Sequence, residues 1–369
     1  MTDIDFARRL EMSRELLSAH AGSHGEGRVG YSGAGRTLNI AFPAGLAPTP
    51  DSGVVGDPSS PLPKADVVVL TYTSDEAKAL ADVLSPGHNS VGWMHYARNY
   101  GAYFAKIRSG APARMAGRLG SYWTTVINGK KVLLFKSELH MHQDVEVVDG
   151  HPTLPIKDLF KQILAETGAG HFFAVGTAGG VYPDKPLGTV TASRAARFLC
   201  KKDFKNEPFA NQAFESDWTL PTKYREVALS LMGSFSSNLV LPATESDCPC
   251  KAIQSSSAPA PTFLFDGLDG IAPFHPTLTT DYFEFGTDQN NLGALGMAVE
   301  MDDAALGLAV AELGSKVLWA SVRNYSDPTI NGSLPYAQQE KCASEIYLKY
   351  GYWTSVMSAL GVWSLIAGL

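Results

Sequence analysis

The sequence predicts an α/β protein built on a mixed, mostly parallel sheet flanked by helices, and three observations carry that prediction. Ala65 to Tyr72 (ADVVVLTY) is a continuous apolar run, as expected of a strand buried on both faces. His171 to Val175 (HFFAV) and the apolar start of Val317 to Pro328 (VLWASVRNYSDP) repeat the pattern. Segments with helical spacing alternate with these strands, after Ser74, after Ile156 and after Asp302.

In chain order, Ile4 to Ala19 reads as a helix, and the Gly-, Ser- and Pro-rich run from Ala21 to Lys64 as an extended arm. Within the arm, GYSGAGRT (Gly30 to Thr37) has the composition of a phosphate-binding loop. No strand precedes it and no clear helix follows, so it reads as arm. The globular body begins at Ala65. SDEAKALADVL starts a helix at Ser74 or Asp75, with Leu80 and Leu84 on one face. An irregular aromatic-rich stretch, Val91 to Ile107, comes next. SYWTTVI-NG-KKVLLFKS then predicts a hairpin turning at Asn128-Gly129.

A helix from Ile156 to Thr167, the His171 strand, a glycine turn at GTAGG (Gly176 to Gly180) and a strand from Gly188 to Leu199 complete this half. Cys200 to Pro276 is the least readable part and is expected to be an insertion, with Ser255 to Pro261 as a loop. TLTTDYFEF, an amphipathic helix at Asp302, the Val317 strand with a polar loop carrying Asp327, and helices from Tyr336 onward close the chain. The expected organisation is an arm over 1–64 and one domain over 65–369, with the insertion at about 200–276.

Composition bounds the function. With 369 residues, 45% of them hydrophobic, the chain can bury a substantial core. A net charge of -7 argues against a nucleic-acid or anionic-membrane binder. Cys200, Cys248, Cys250 and Cys342 are too few for a disulfide framework, and the Cys248–Cys250 pair lacks the partners of a zinc site. The N-terminus lacks the apolar core of a signal peptide, and no stretch is long and pure enough to span a bilayer. The expectation is a soluble, cytoplasmic protein with no metal and no cofactor.

Four short stretches fall at the carboxyl ends of neighbouring strands: Glu76, GTAGG, the acidic run at Glu300 to Asp303, and Asp327. Ligands collect at that rim in α/β sheets. Glycines there permit close backbone approach. Singly, Asp302 and Asp303 also suit a helix cap, and Asp327 before Pro328 suits a turn. Jointly the four point to one site.

The motifs DVVVLTYTSDEAKAL, AVGTAGGVYPDKPLGTV, TTDYFEF, AVEMDDAAL and SVRNYSDP, in this order, resemble the purine nucleoside phosphorylase superfamily. The methylthioadenosine and adenosylhomocysteine nucleosidases are the most similar in motif, over about Ala65 to the C-terminus. The resemblance implies a nucleoside phosphorylase-like fold, a purine nucleoside as small-molecule partner and a homo-oligomer. It implies that Asp327 protonates the purine N7 and Glu76 activates water. Met301 would line the ribose, Asp302 would bind its hydroxyls and Phe283 would lie along the base. Glu300, Thr177, Ala178, Gly179 and Ser326 complete the expected substrate contacts.

Phosphorylases of this superfamily hold phosphate with arginines in the first loop and just before the glycine segment. Here TYTSDEA has none, and Ala174 and Val175 precede GTAGG. A dianion needs a fixed guanidinium, so hydrolysis is favoured. Arg98, Arg114 and Arg118 of the irregular segment remain alternative sources. VEMD replaces the usual VEME, which shortens Asp302 by one methylene. Ser137 to His142 replaces a loop that is Gly-rich in relatives; His140 and His142 either contact substrate or sit on an exposed loop. A phosphorylase with an unusual phosphate site and a noncatalytic nucleoside-binding protein stay open as alternatives.

Overall fold

The structure, a computed structural model, describes residues 38–53, 56–240 and 260–369. The expected N-terminal helix, the GYSGAGRT loop, the Cys248–Cys250 pair and most of the Ser255 loop lie outside those residues. The principal strands are Val67–Thr71 (β1), Gly120–Ile127 (β2), Lys130–Ser137 (β3), His171–Gly180 (β4), Val190–Ser193 (β5), Ala195–Phe198 (β6), Phe263–Phe265 (β7), Thr277–Thr279 (β8), Ala298–Glu300 (β9) and Leu318–Asp327 (β10). The principal helices are Ser74–Leu84 (α1), Pro155–Thr167 (α2), Arg225–Phe235 (α3), Asp303–Leu313 (α4) and Tyr336–Ala367 (α5).

β1 lies parallel to β3 on one side and to the first half of β4 on the other. β4 runs parallel to β10 along nearly its whole length. Side chains of β1 alternate between the two faces: Val67 and Val69 join a core with α1 and α5, Val68 and Leu70 one with α2 and α4. The result is a three-layer α/β/α body. The β2–β3 hairpin turns where expected, with Asn128 and Gly129 both at positive φ (50° and 74°), as a type I′ turn requires. Residues of the 200–276 stretch enter these cores: Phe263 and Phe265 are fully buried, and β7 pairs with β5.

Five expectations need correction. GTAGG is no turn; β4 continues through it to Gly180. Its glycines serve close approach: a Cβ on Gly179 would stand 2.9 Å from Val299, and one on Gly180 2.9 Å from the Tyr325 ring. The strand after Gly188 breaks at Arg194 into β5 and β6, where Arg194 turns to fork Asp266. α4 is not amphipathic, because Asp303 to Val310 are all buried between the sheet and α2. Asp327 is the last residue of β10 rather than part of a loop, and the terminal helices are one helix of 32 residues. Among the described residues, no helix is long and apolar enough to cross a membrane.

The pairing pattern of β4 positions the site. With β10 on one edge, its other edge meets β1 only as far as Ala174 and then β9, antiparallel, only from Gly179. Between those points the backbone of β4 has no strand partner on that side. The gap opens a crevice at the carboxyl end of β1.

Candidate active site

Glu76 fills part of that gap. It is residue N3 of α1, and with Thr73 it forms a capping box: Glu76 N donates to Thr73 Oγ1 at 3.4 Å, and Thr73 N to Glu76 Oε2 at 2.8 Å. A cap alone needs no more. Here Oε2 also accepts from Thr71 Oγ1 and Tyr72 N, both at 3.0 Å. Oε1 accepts from the N–H and hydroxyl of Thr177, both at 2.7 Å, so the carboxylate takes the place of the missing strand partner. Burial pushes its pKa up, but the Arg323 guanidinium and the N–H groups of Thr73 and Thr177 outweigh burial. The carboxyl is held below its ordinary value and stays ionised.

Arg323 belongs to the SVRNYSDP motif without a role that the sequence assigns, although a charge inside the apolar run of β10 is the signal for one. Its Nε donates to Asp303 Oδ2 at 2.8 Å, and Nη2 to both Asp303 Oδ1 and Glu300 Oε2, the latter at 3.0 Å. Nη1 donates to Thr177 O at 3.1 Å, and the guanidinium lies 4.9 Å from the centre of the Tyr72 ring. Gly176 makes this possible. A Cβ there would stand 2.6 Å from Glu76 Oε1 and 2.8 Å from Arg323 Nη1. Glu300 also accepts from Thr279 Oγ1, Asp302 N and Asp303 N. Burial and the neighbouring Asp303 push its pKa up to about 8, against the pull of Arg323.

Asp327 stands further along the same crevice. A bulge between Tyr325 and Asp327 sets it opposite Gly179, with Oδ2 3.5 Å from where a Gly179 Cβ would be. Ser326 Oγ donates to Asp327 Oδ1 at 3.0 Å. Burial raises the Asp327 pKa to about 7, which the Ser326 bond only partly offsets. Thr177, which holds Glu76, and Gly179, which faces Asp327, are two residues apart, or about 7 Å of strand. That separation suits a ligand lying between two carboxyls of different character.

The remaining wall comes from distant segments. Asp302 occupies the N-cap position of α4, yet its side chain makes no cap bond. Its Oδ1 accepts from Met141 N at 2.7 Å, and His140 Nδ1 stands 3.7 Å from Oδ2. The exposed-loop alternative for His140 and His142 is excluded, since both are buried, His140 against this acid and His142 against the rings of His140 and Phe283. Phe283 stacks on Phe285 with ring centres 5.6 Å apart and meets His142 edge-on at 5.5 Å.

Glu76, Thr177, Ala178, Gly179, Phe283, Glu300, Met301, Asp302, Ser326 and Asp327 all line one cavity of about 180 Å³. His140 and His142 line it as well, as the first of their two alternatives has it, and so do Tyr72 and Tyr347, for which the sequence offers no signal. Arg98, Arg114 and Arg118 do not line it; they are held by Glu166, the Ile107 carbonyl and Glu138. Among the described residues Arg323 is the one arginine or lysine in the lining. None of the described His, Cys, Asp and Glu residues is grouped to hold a metal ion.

Solved structures similar to this chain are nucleosidases and a futalosine hydrolase. One is 5′-methylthioadenosine/S-adenosylhomocysteine nucleosidase from Neisseria meningitidis in complex with methylthio-immucillin-A, at 14% identity, 82% of this chain, 99% of that chain and TM-score 0.45. The Helicobacter pylori nucleosidase of the same description, with butyl-thio-DADMe-Immucillin-A, aligns at 11% identity, 83% and 99% coverage and TM-score 0.46. Futalosine hydrolase of Helicobacter pylori aligns at 11% identity, 82% and 97% coverage and TM-score 0.45. No protein-family model and no curated protein matches the chain.

Proposed function

We propose that this protein hydrolyses the N-glycosidic bond of a purine nucleoside or a close derivative. One observation carries the reading: two carboxyls held in opposite protonation regimes face the same cavity. Glu76 is kept ionised, while Asp327 keeps a proton up to about pH 7. Pairs of acids pushed apart in this way divide acid and base work between them.

The chemistry follows from the charges that develop. As the C–N bond breaks, its electron pair moves to the base and positive charge grows on the sugar. Asp327 passes its proton to a ring nitrogen of the base, so the leaving group departs neutral. Glu76, with five donors on its two oxygens, is a weak base but a fixed anion. It stabilises the cationic sugar and orients water, whose proton is removed only late in attack on such a carbon. Phe283 offers the base a stacking wall. Met301, Glu300 and Asp302 border the sugar in this reading.

Water is favoured over phosphate because the guanidinium in the lining is already committed to Asp303 and Glu300. A phosphate dianion would need a free one. The test is a screen of purine nucleosides for base release, run with and without phosphate. Free base and free sugar at a phosphate-independent rate are expected. Formation of a sugar 1-phosphate would overturn hydrolysis, and release of no base from any nucleoside would overturn the whole reading.

A further inference from the structure

Asp303 touches nothing in the cavity, yet it is bonded to Tyr72, Glu300 and Arg323, which do. It is the first residue of α4 and fully buried. Its two oxygens grip Arg323 through Nε and Nη2, in the bidentate fork that fixes the plane of a guanidinium. Tyr72 Oη, at 3.2 Å, and Ser321 Oγ donate to the same carboxylate, which cannot swing away. With Nε and Nη2 so occupied, Nη1 is the arm left facing Thr177 and Glu76, across the space that Gly176 keeps open.

We propose that Asp303 is a positioning residue for the reaction, holding Arg323 side-on so that Nη1 faces the Glu76 end of the crevice while its charge is balanced from behind. This rests on the nucleosidase reading above. Without the fork, Arg323 is free to rotate toward Glu76 or Glu300 and to change the field at the reacting sugar. The competing account is a buried ion pair that serves the fold alone. The two differ in what the removal of one charge does to the neighbours. Glu300 is the gauge, since Asp303, Arg323 and Asp302 act on it and Tyr72 feels its charge in turn.

Asp303→Asn keeps the shape and removes the charge. Expected are a fall in kcat of about 10- to 100-fold, the scale of a misplacement near 1 Å, and a KM within about threefold of the parent. The carboxyl-carbon NMR signal of Glu300, which needs no turnover, is expected to titrate at lower pH than in the parent. Asp303→Glu restores the charge on a longer arm; it is expected to titrate Glu300 as the parent does while remaining slow. A folded Asp303→Asn variant with parental kcat would overturn the proposal, whichever way Glu300 titrates. If that variant does not fold, parental kcat in Asp303→Glu overturns it instead. A parent that releases no base defeats the nucleosidase reading and leaves the titration to decide the electrostatic role.

Discussion

Asp327 sets activity against stability within one side chain. Its proton is useful only while it is held, so kcat/KM should fall as pH rises through about 7, the value to which burial lifts this acid. Asp327→Asn is expected to lower turnover by about 10²–10⁴, the usual worth of one positioned acid, with the fold intact. Stability falls over the same pH range. The folded pKa lies above the unfolded one, so the stabilisation from the retained proton is full below about pH 4 and lost as pH rises through about 7. Asparagine has no charge to bury, so the variant should gain on the parent in urea unfolding at pH 8 relative to pH 4. No gain would mean that Asp327 is better solvated than its burial implies. Glu76 differs, because its carboxylate is structural as well as chemical. In Glu76→Gln an amide N–H₂ must face donors, so turnover falls and a buried hydrogen bond worth about 1 kcal/mol is lost, while binding of an uncleaved analogue persists. Parental turnover in Glu76→Gln would remove it from the reaction.

At the scale of elements, β4 is where local chemistry and tertiary demand part company. Apolar runs announced β1, β4 and β10, and Asn128-Gly129 announced the hairpin, because those signals reside in consecutive residues. GTAGG spelled a turn in the same local language, yet the chain stays extended there. The need for glycine comes from Val299, Tyr325, Glu76 and Arg323, none adjacent in sequence. The same holds for Asp302, whose partner Met141 lies 161 residues away, and for His140, buried by that pairing. The acids and glycines of the site were legible as motifs; the guanidinium that organises them was not, since its role exists only across β4, β9 and β10. Gly176→Ala tests the geometry. A methyl group would press between Glu76 and Arg323 at under 3 Å from each. Overpacking of this kind costs about 1–3 kcal/mol and displaces two groups of the site together. Chemical denaturation and turnover should both register it; a variant with parental values in both would mean that the two side chains give way freely.

Across the whole molecule, α5 joins the site to the core. Its first half supplies Ala343, Ser344, Tyr347 and Leu348 to the cavity wall, and Tyr347 Oη donates to Thr73 Oγ1 at 2.9 Å, beside the Glu76 cap. Its second half is buried without interruption from Thr354 to Ala367, with Trp363 Nε1 donating to the Leu46 carbonyl at 2.8 Å. One rigid helix therefore closes the crevice and packs the face of the sheet that carries α1. A ligand seated between Glu76 and Asp327 would touch α1, β4, β10 and α5 together, so occupancy should stabilise the fold globally rather than locally. An uncleaved purine nucleoside analogue at 100 times its Kd is expected to add about 2.7 kcal/mol to unfolding. Tyr347→Phe removes one half-buried hydrogen bond, worth about 1 kcal/mol, and should leave the free protein folded. If α5 couples to the site through that bond, the analogue binds this variant more weakly, and its stabilising effect at a fixed concentration shrinks by a similar amount. Urea unfolding with and without the analogue measures both quantities. An analogue that leaves the parent's midpoint unmoved at millimolar concentration would show that the cavity is not a purine nucleoside site.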